Sequence, residues 1–144
     1  MILTGTYERN LDAKGRLSLP AAIRKELSEQ VKVLKAPDVD ALYVFSSDEY
    51  EKWVMGLFEG RGGFNPRSSK DQKLMRSLNA MATPVDIDAA SRIGLPEDLR
   101  SKAKLSAREV TVVGNFDHLE IWDRAAWEQA NADDDDLADL FFSE

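Results

Sequence analysis

The sequence predicts an α+β protein, mainly β. Two tandem β-hairpin/helix halves are expected to form one pseudo-symmetric β-barrel-like core with flanking helices. Three observations lead there. "LDAKGRLSLP" (residues 11–20) returns 76 positions later as "IDAASRIGLP" (87–96). Each copy is followed by the same succession of β-rich runs and a helical stretch. Neither copy is long enough to bury an adequate core alone, so the two must share one.

In each half the order reads strand, turn, strand, short helix, strand, strand, helix. "GTYERNLD" alternates loosely and enters a turn at "DAKG", after which "RLSLP" puts Leu17 and Leu19 on one face. Pro20 suits the first helical position, where a missing N–H costs nothing. Ile23 and Leu27, four apart, give that short helix a single apolar face. "VKVL" (31–34) and "ALYVF" (41–45) are β-rich and separated by a turn at "APDVD". Ser46 or Ser47 then caps a helix whose Tyr50, Trp53, Val54, Leu57 and Phe58 recur at helical spacing.

The second half repeats this. Leu11 aligns with Ile87, Asp12 with Asp88, Arg16 with Arg92, Pro20 with Pro96 and Arg24 with Arg100. "VKVL" matches "VTVV" (110–113), and "LYVFSSDEYEKW" (42–53) matches "LEIWDRAAWEQA" (119–130). Between the halves, "EGRGGFNPRSS" (59–69) reads as a flexible connection, leading into a helix with Leu74, Leu78 and Met81 on one side. The organisation is therefore a first repeat at 1–58, a linker and connecting helix at 59–83, a second repeat at 84–132 and an acidic tail at 133–144.

The formal charge of −7 by itself argues against nucleic acid, but its distribution is uneven. Residues 1–76 carry 13 Lys and Arg against 11 Asp and Glu, whereas the last twelve residues, "DDDDLADLFFSE", hold six acids and no base. There is no cysteine and one histidine, His118, so thiolate chemistry and a His/Cys metal cluster are excluded. His118, beside Asp117, reads as a turn residue. No apolar run reaches the ~18 residues of a membrane span, and the N-terminus lacks a signal-peptide pattern. A soluble cytoplasmic protein without membrane contact is expected. No glycine loop for phosphate, nucleophile elbow or HExxH occurs, so no enzyme, small-molecule substrate, metal or cofactor is expected.

"GTYERNLDAKGRLSLP" and "DIDAASRIGLP", with the helices that follow them, resemble the MraZ family of bacterial transcriptional regulators, within the wider AbrB/SpoVT group of swapped-hairpin β-barrels. The resemblance covers nearly the whole chain. It implies two AbrB-like halves in one chain, assembly into a ring-like homo-oligomer, and repression of the promoter of the protein's own cell-division and cell-wall gene cluster. The partner would be double-stranded promoter DNA, making the protein nucleoid-associated. It also implies that the DNA-contacting surface centres on the first D-x-x-x-R motif, here Asp12 to Arg16.

The residue chemistry suits that surface. Gly15 lets a backbone approach closely, Lys14 offers a point charge to phosphate, and Arg16 can fork onto guanine O6 and N7. Arg9 and Arg24 flank the motif as further phosphate contacts. Asp12 and Asp88 would repel phosphate and are expected instead to hold their turns together. Arg92 also matches, but Ala90 and Ser91 replace Lys14 and Gly15, so the second turn has lost a cation and a residue tolerant of positive φ. An Asp four residues before an Arg is also the ordinary way to close a turn; both roles coexist if the Arg keeps free donors. The rival reading is an oligomeric protein-binding scaffold or antitoxin-like module without its own DNA readout. The basic positions Arg67, Lys70, Lys73 and Arg76 read as a solvated helix face, Tyr50, Trp53, Trp122 and Trp127 as packing, and the acidic tail as a competitor with DNA for the basic tips.

Overall fold

The computed structural model describes residues 2–132 and 135–143. In chain order the elements of the first half are β1 (Thr6–Asn10), β2 (Arg16–Ser18), α1 (Ala21–Arg24), β3 (Gln30–Lys35), β4 (Ala41–Ser46) and α2 (Ser47–Glu59). A connecting helix α3 (Ser69–Met81) follows. The second half runs β5 (Thr83–Asp86), β6 (Arg92–Gly94), α4 (Glu97–Lys102), β7 (Glu109–Asn115), β8 (His118–Asp123) and α5 (Arg124–Ala130), before a final α6 (Asp135–Phe142).

Six strands form one antiparallel sheet in the order β1-β7-β8-β4-β3-β5, and β2 and β6 form a separate two-stranded ribbon. The ladder is open, ending at β1 and β5, rather than closing into a barrel. Each half lends its first strand to the other: β1 pairs with β7 and β5 with β3. The registers coincide, since Arg9 lies opposite Val110 and Val85 opposite Val31, while Asn10 faces Glu109 and Asp86 faces Gln30. At the centre Tyr43 faces Glu120, and in the ribbon Leu17 faces Ile93. A pseudo-twofold axis therefore passes through both pairs, because the partners occupy equivalent positions of the two repeats. Every one of these pairings except β3–β4 and β7–β8 crosses between halves, so neither half completes a sheet by itself.

Strand alternation builds two cores. On one sheet face Val31, Val33, Leu42, Val44, Val110, Val112, Leu119 and Ile121 meet Leu17, Leu19, Ile93 and Leu95 from the ribbon and Ile23 and Leu99 from α1 and α4. Leu17 and Ile93 are completely buried, worth roughly 1.5–3 kcal/mol each, which clamps the ribbon to the sheet. On the other face Tyr43 and Phe45 pack under α2 and α3 against Tyr50, Val54, Phe58 and Leu78. The aromatic residues stack as packing groups, with Phe45 and Trp53 rings 4.8 Å apart and Trp122 and Trp127 rings 5.2 Å apart.

Several local expectations change in the folded chain. Ser46 stands at the start of α2, but its hydroxyl accepts from the Ser28 amide rather than capping the helix, and Ser47 donates to the Gln30 carbonyl. Pro20 and Pro96 sit one position earlier than predicted, as N-cap residues whose carbonyls accept the first helical amides. The Gly-rich connection is tied down rather than free. Buried Asp71 accepts from Arg61 Nη1 at 2.8 Å and from the Asn65 amide at 2.9 Å, and Phe64 packs edge-on against Phe58. Arg67, Lys70, Lys73 and Arg76 are all exposed. Of the tail, residues 133 and 134 lie outside the described residues, while α6 leaves Leu137, Leu140, Phe141 and Phe142 each more than 70% exposed. No described helix is long and apolar enough to cross a membrane.

His118 is a strand residue rather than a turn residue. It opens β8, buried against the Tyr43 ring 4.2 Å away, with Nδ1 2.7 Å from Asp117 and Nε2 3.1 Å from Glu120. Glu120, also buried, accepts from Asn115 Nδ2 and Trp122 Nε1. Burial disfavours the imidazolium, but the Glu120 and Asp117 carboxylates outweigh it and raise the His118 pKa above the ordinary 6.5. A raised folded pKa gives stability that is complete below 6.5 and is lost as pH climbs through the folded value. The melting temperature is therefore expected to fall as pH rises past neutrality, and His118→Gln to remove that slope in a pH series of thermal melts. A flat wild-type profile between pH 6 and 9 would show that the pair carries no net charge coupling.

Candidate nucleic-acid interface

The two D-x-x-x-R turns are backbone twins. In the first, the Gly15 amide donates to the Asp12 carbonyl and the Asp12 amide to the Arg16 carbonyl, each at 3.0 Å. This is a three-residue hairpin loop whose last residue must be left-handed, and Gly15 supplies φ +75°. In the second, Ser91 donates to Asp88 and Asp88 to Arg92, with Ser91 itself at φ 60°. Loss of the glycine has thus not changed the turn, contrary to what its absence suggests. A side chain at positive φ costs on the order of 1–2 kcal/mol, which the surrounding hydrogen bonds offset.

The aspartates organise both loops. Asp12 Oδ1 accepts from the Lys14 and Arg16 amides at 2.9 Å, and Oδ2 accepts from Arg16 Nε at 2.6 Å. Asp88 does the same with Ala90, Arg92 and Arg92 Nε, all at 2.9 Å. The negative charge is thereby turned inward. Each arginine is gripped by Nε, and among the described residues neither terminal nitrogen of Arg16 or Arg92 has a hydrogen-bond partner. Lys14 is exposed, and its ammonium likewise makes no hydrogen bond within the described residues.

The Arg16 amide, helped by its side chain and the Lys14 amide, holds the Asp12 carboxyl at about 2 against burial acting the other way. Asp88 is lowered for the same reason. A depressed folded pKa gives stability present above the ordinary 3.8 and lost as pH falls through about 2. A carboxyl-carbon NMR titration is expected to place the Asp12 midpoint near 2, and Arg16→Ala to raise it only in part because the amide donors remain. A midpoint at the ordinary value would mean the loop hydrogen bonds do not persist in solution.

Gly15 is buried, and the space a Cβ would fill is taken. A Cβ there would lie 2.7 Å from the Cζ of Arg100, which reaches across from α4. The glycine therefore seats an arginine rather than opening its own backbone to a groove. Arg24, the repeat equivalent of Arg100, spends its terminal nitrogens on the Leu27 carbonyl and on Glu29 at 3.0 Å. Arg9 lies 5.7 Å over the Tyr7 ring and donates to the Glu8 carbonyl. Arg124, which the sequence did not mark, staples the base of the first hairpin by donating to the carbonyls of Arg9 and Val110 and to Asn10 Oδ1.

With identical backbones, the two turns differ in charge. Arg9, Asn10 and Lys14 around the first become Val85, Asp86 and Ala90 around the second. The residue whose carbonyl accepts the amide entering the turn is Arg108 for Leu11 but Glu29 for Ile87. Cations are concentrated around the first turn, where Arg9, Lys14, Arg16 and Arg108 outnumber Asp12 and Glu109, whereas the second is close to balanced. The turns occupy opposite ends of the ribbon, since Arg16 faces Gly94 and Ser18 faces Arg92.

Residues 2–59 and 78–139 match a family model described as "MraZ protein, putative antitoxin-like". Proteins named transcriptional regulator MraZ are similar over most of the chain. The one from Mycolicibacterium smegmatis (strain ATCC 700084 / mc(2)155) is 40% identical over 126 residues, covering 87% of this chain and 83% of the relative. That from Alkaliphilus oremlandii (strain OhILAs) is 34% identical over 131 residues, or 90% and 87% of the two chains. That from Mycoplasmoides gallisepticum (strain R(low / passage 15 / clone 2)) is 34% identical over 127 residues, or 88% and 85%.

Proposed function

Since this chain belongs to the MraZ family and is a transcription regulator, we propose that it binds double-stranded promoter DNA sequence-specifically through its first turn, as a homo-oligomer. It represses the cell-division and cell-wall cluster that includes its own promoter, and so works in the cytoplasm at the nucleoid.

The observation that carries this reading is that two geometrically equivalent turns differ in charge, with cations concentrated around one. A scaffold has no use for that difference, whereas a polyanion does. Lys14 supplies a phosphate contact, and the terminal nitrogens of Arg16 present a fork to guanine while Nε stays with Asp12. Asp12 fixes the rotamer in advance, so little side-chain entropy is lost on binding. Arg9 flanks this surface. Arg24 and Arg92 belong to the weaker second turn, where Glu29 and Asp86 add negative charge.

A tip with so few contacts binds weakly and is sensitive to salt. Joining several tips in one assembly multiplies binding by roughly 10²–10⁴, and head-to-tail packing aims them in one rotational sense. Direct repeats about one helical turn apart follow, rather than palindromes. The apolar side chains left exposed on α6 offer area that a neighbouring copy could cover. They also give the scaffold reading its one support. Footprinting the purified oligomer on the duplex upstream of its own coding region decides between them. Protection of regularly spaced direct repeats supports the regulator as described, and no protection even at low ionic strength removes it.

A further inference from the structure

We infer that Arg100 and Arg108, both supplied by the second half, complete the DNA-phosphate-binding surface around the first turn. This rests on the proposed DNA reading and adds to it a surface built by both halves, from residues outside the D-x-x-x-R motif.

The argument for Arg100 is its seat. Its Nε donates to the Leu95 carbonyl at 3.0 Å, and the Leu95 amide donates to the Gly15 carbonyl at 3.0 Å. The guanidinium is thus anchored from behind and laid over Gly15, in space that only a glycine leaves free. Its terminal nitrogens make no hydrogen bond and no ion pair among the described residues. A guanidinium held by one edge against a turn, with its other donors unspent, is preorganised for a phosphate oxygen. Its repeat equivalent is different: Arg24 is neutralised by Glu29.

Arg108 makes the same case from the other flank. It is exposed, and its carbonyl accepts the Leu11 amide at 2.8 Å just before the turn begins. Its equivalent in the first half is Glu29, whose carbonyl accepts the Ile87 amide just before the second turn. One position thus adds a cation beside the first turn and places the carboxylate that cancels Arg24 beside the second. The strand exchange makes this possible, because β1 pairs with β7 and so brings the residue before β7 to the first turn.

The test measures binding of the full-length oligomer to its upstream duplex over a range of salt. Arg108→Ala and Arg100→Ala are each expected to weaken binding at least about tenfold. Each should flatten the log–log salt dependence by about one unit for every engaged protomer, without altering the preferred sequence. Arg100→Lys should restore the salt slope, since it keeps the charge. Arg76→Ala, an equal charge loss on exposed α3, should change neither quantity. Because Arg108 is exposed, its variant is readable even if Arg100→Ala disturbs the turn. If Arg108→Ala and Arg100→Ala behave like Arg76→Ala while Arg16→Ala still loses the duplex, the inference is overturned and the DNA reading stands. If Arg16→Ala binds like wild type, the first-turn reading fails and this inference falls with it.

Discussion

Arg16→Ala is expected to lower affinity for the upstream duplex by at least about 100-fold while leaving the oligomer intact. A bidentate arginine–guanine contact contributes about 1–3 kcal/mol of discrimination, and an assembly loses that amount at every tip it engages. The fold should survive, because the Arg16 side chain is about one-third exposed and its backbone hydrogen bonds remain. Arg16→Lys should recover little specificity, since an ammonium is a point charge without the planar fork. Light scattering to confirm the assembly, paired with titration of the duplex, separates readout from folding. A variant that assembles and still protects the same repeats would remove Arg16 from the recognition surface.

The second large effect concerns stability. Gly114→Ala is expected to cost about 3 kcal/mol, a fall in melting temperature of roughly 10 °C for a chain of this size. A Cβ on Gly114 would lie 2.4–2.6 Å from the backbone of Thr4, and backbone cannot swing aside as a side-chain tip can. The contact is fixed from both sides. The Gly114 amide donates to the Gly5 carbonyl at 2.8 Å, and Leu3, only 1% exposed, exchanges two backbone hydrogen bonds with Phe116. Gly94→Ala is the matched control, because that glycine has nothing within 4 Å of the added atom. It should change stability by less than about 0.5 kcal/mol. Equal thermal melts for the two variants would mean that the N-terminal segment does not pack on β7 in solution.

The parts of the molecule that read clearly from the sequence are those in which cause and effect lie a few residues apart. Asp12 reaches Lys14 and Arg16, and Asp88 reaches Ala90 and Arg92, across at most four positions. The alternation of Val31 and Val33, or Leu42 and Val44, marks the buried face of a strand without reference to its partner. Repetition of the pattern strengthened each local reading. The same locality misled at Ser46, where a hydroxyl suited to capping finds a better use eighteen residues away. It misled again at His118, whose neighbours in sequence suggested a turn while Tyr43, from another strand, buries it.

The sequence by itself determined that two equivalent halves exist, that each carries an aspartate-closed hairpin, and that only the first hairpin keeps Lys14 and a glycine. Those features depend on short-range hydrogen bonding and strand periodicity, which a chain expresses wherever it lies. Tertiary structure alone decided that β1 and β5 cross to the opposite half, that Gly15 makes room for Arg100, and that Arg108 and Glu29 stand beside different turns. Such neighbours are chosen by the order in which strands pair to bury both faces of the sheet, a condition that involves the whole chain at once.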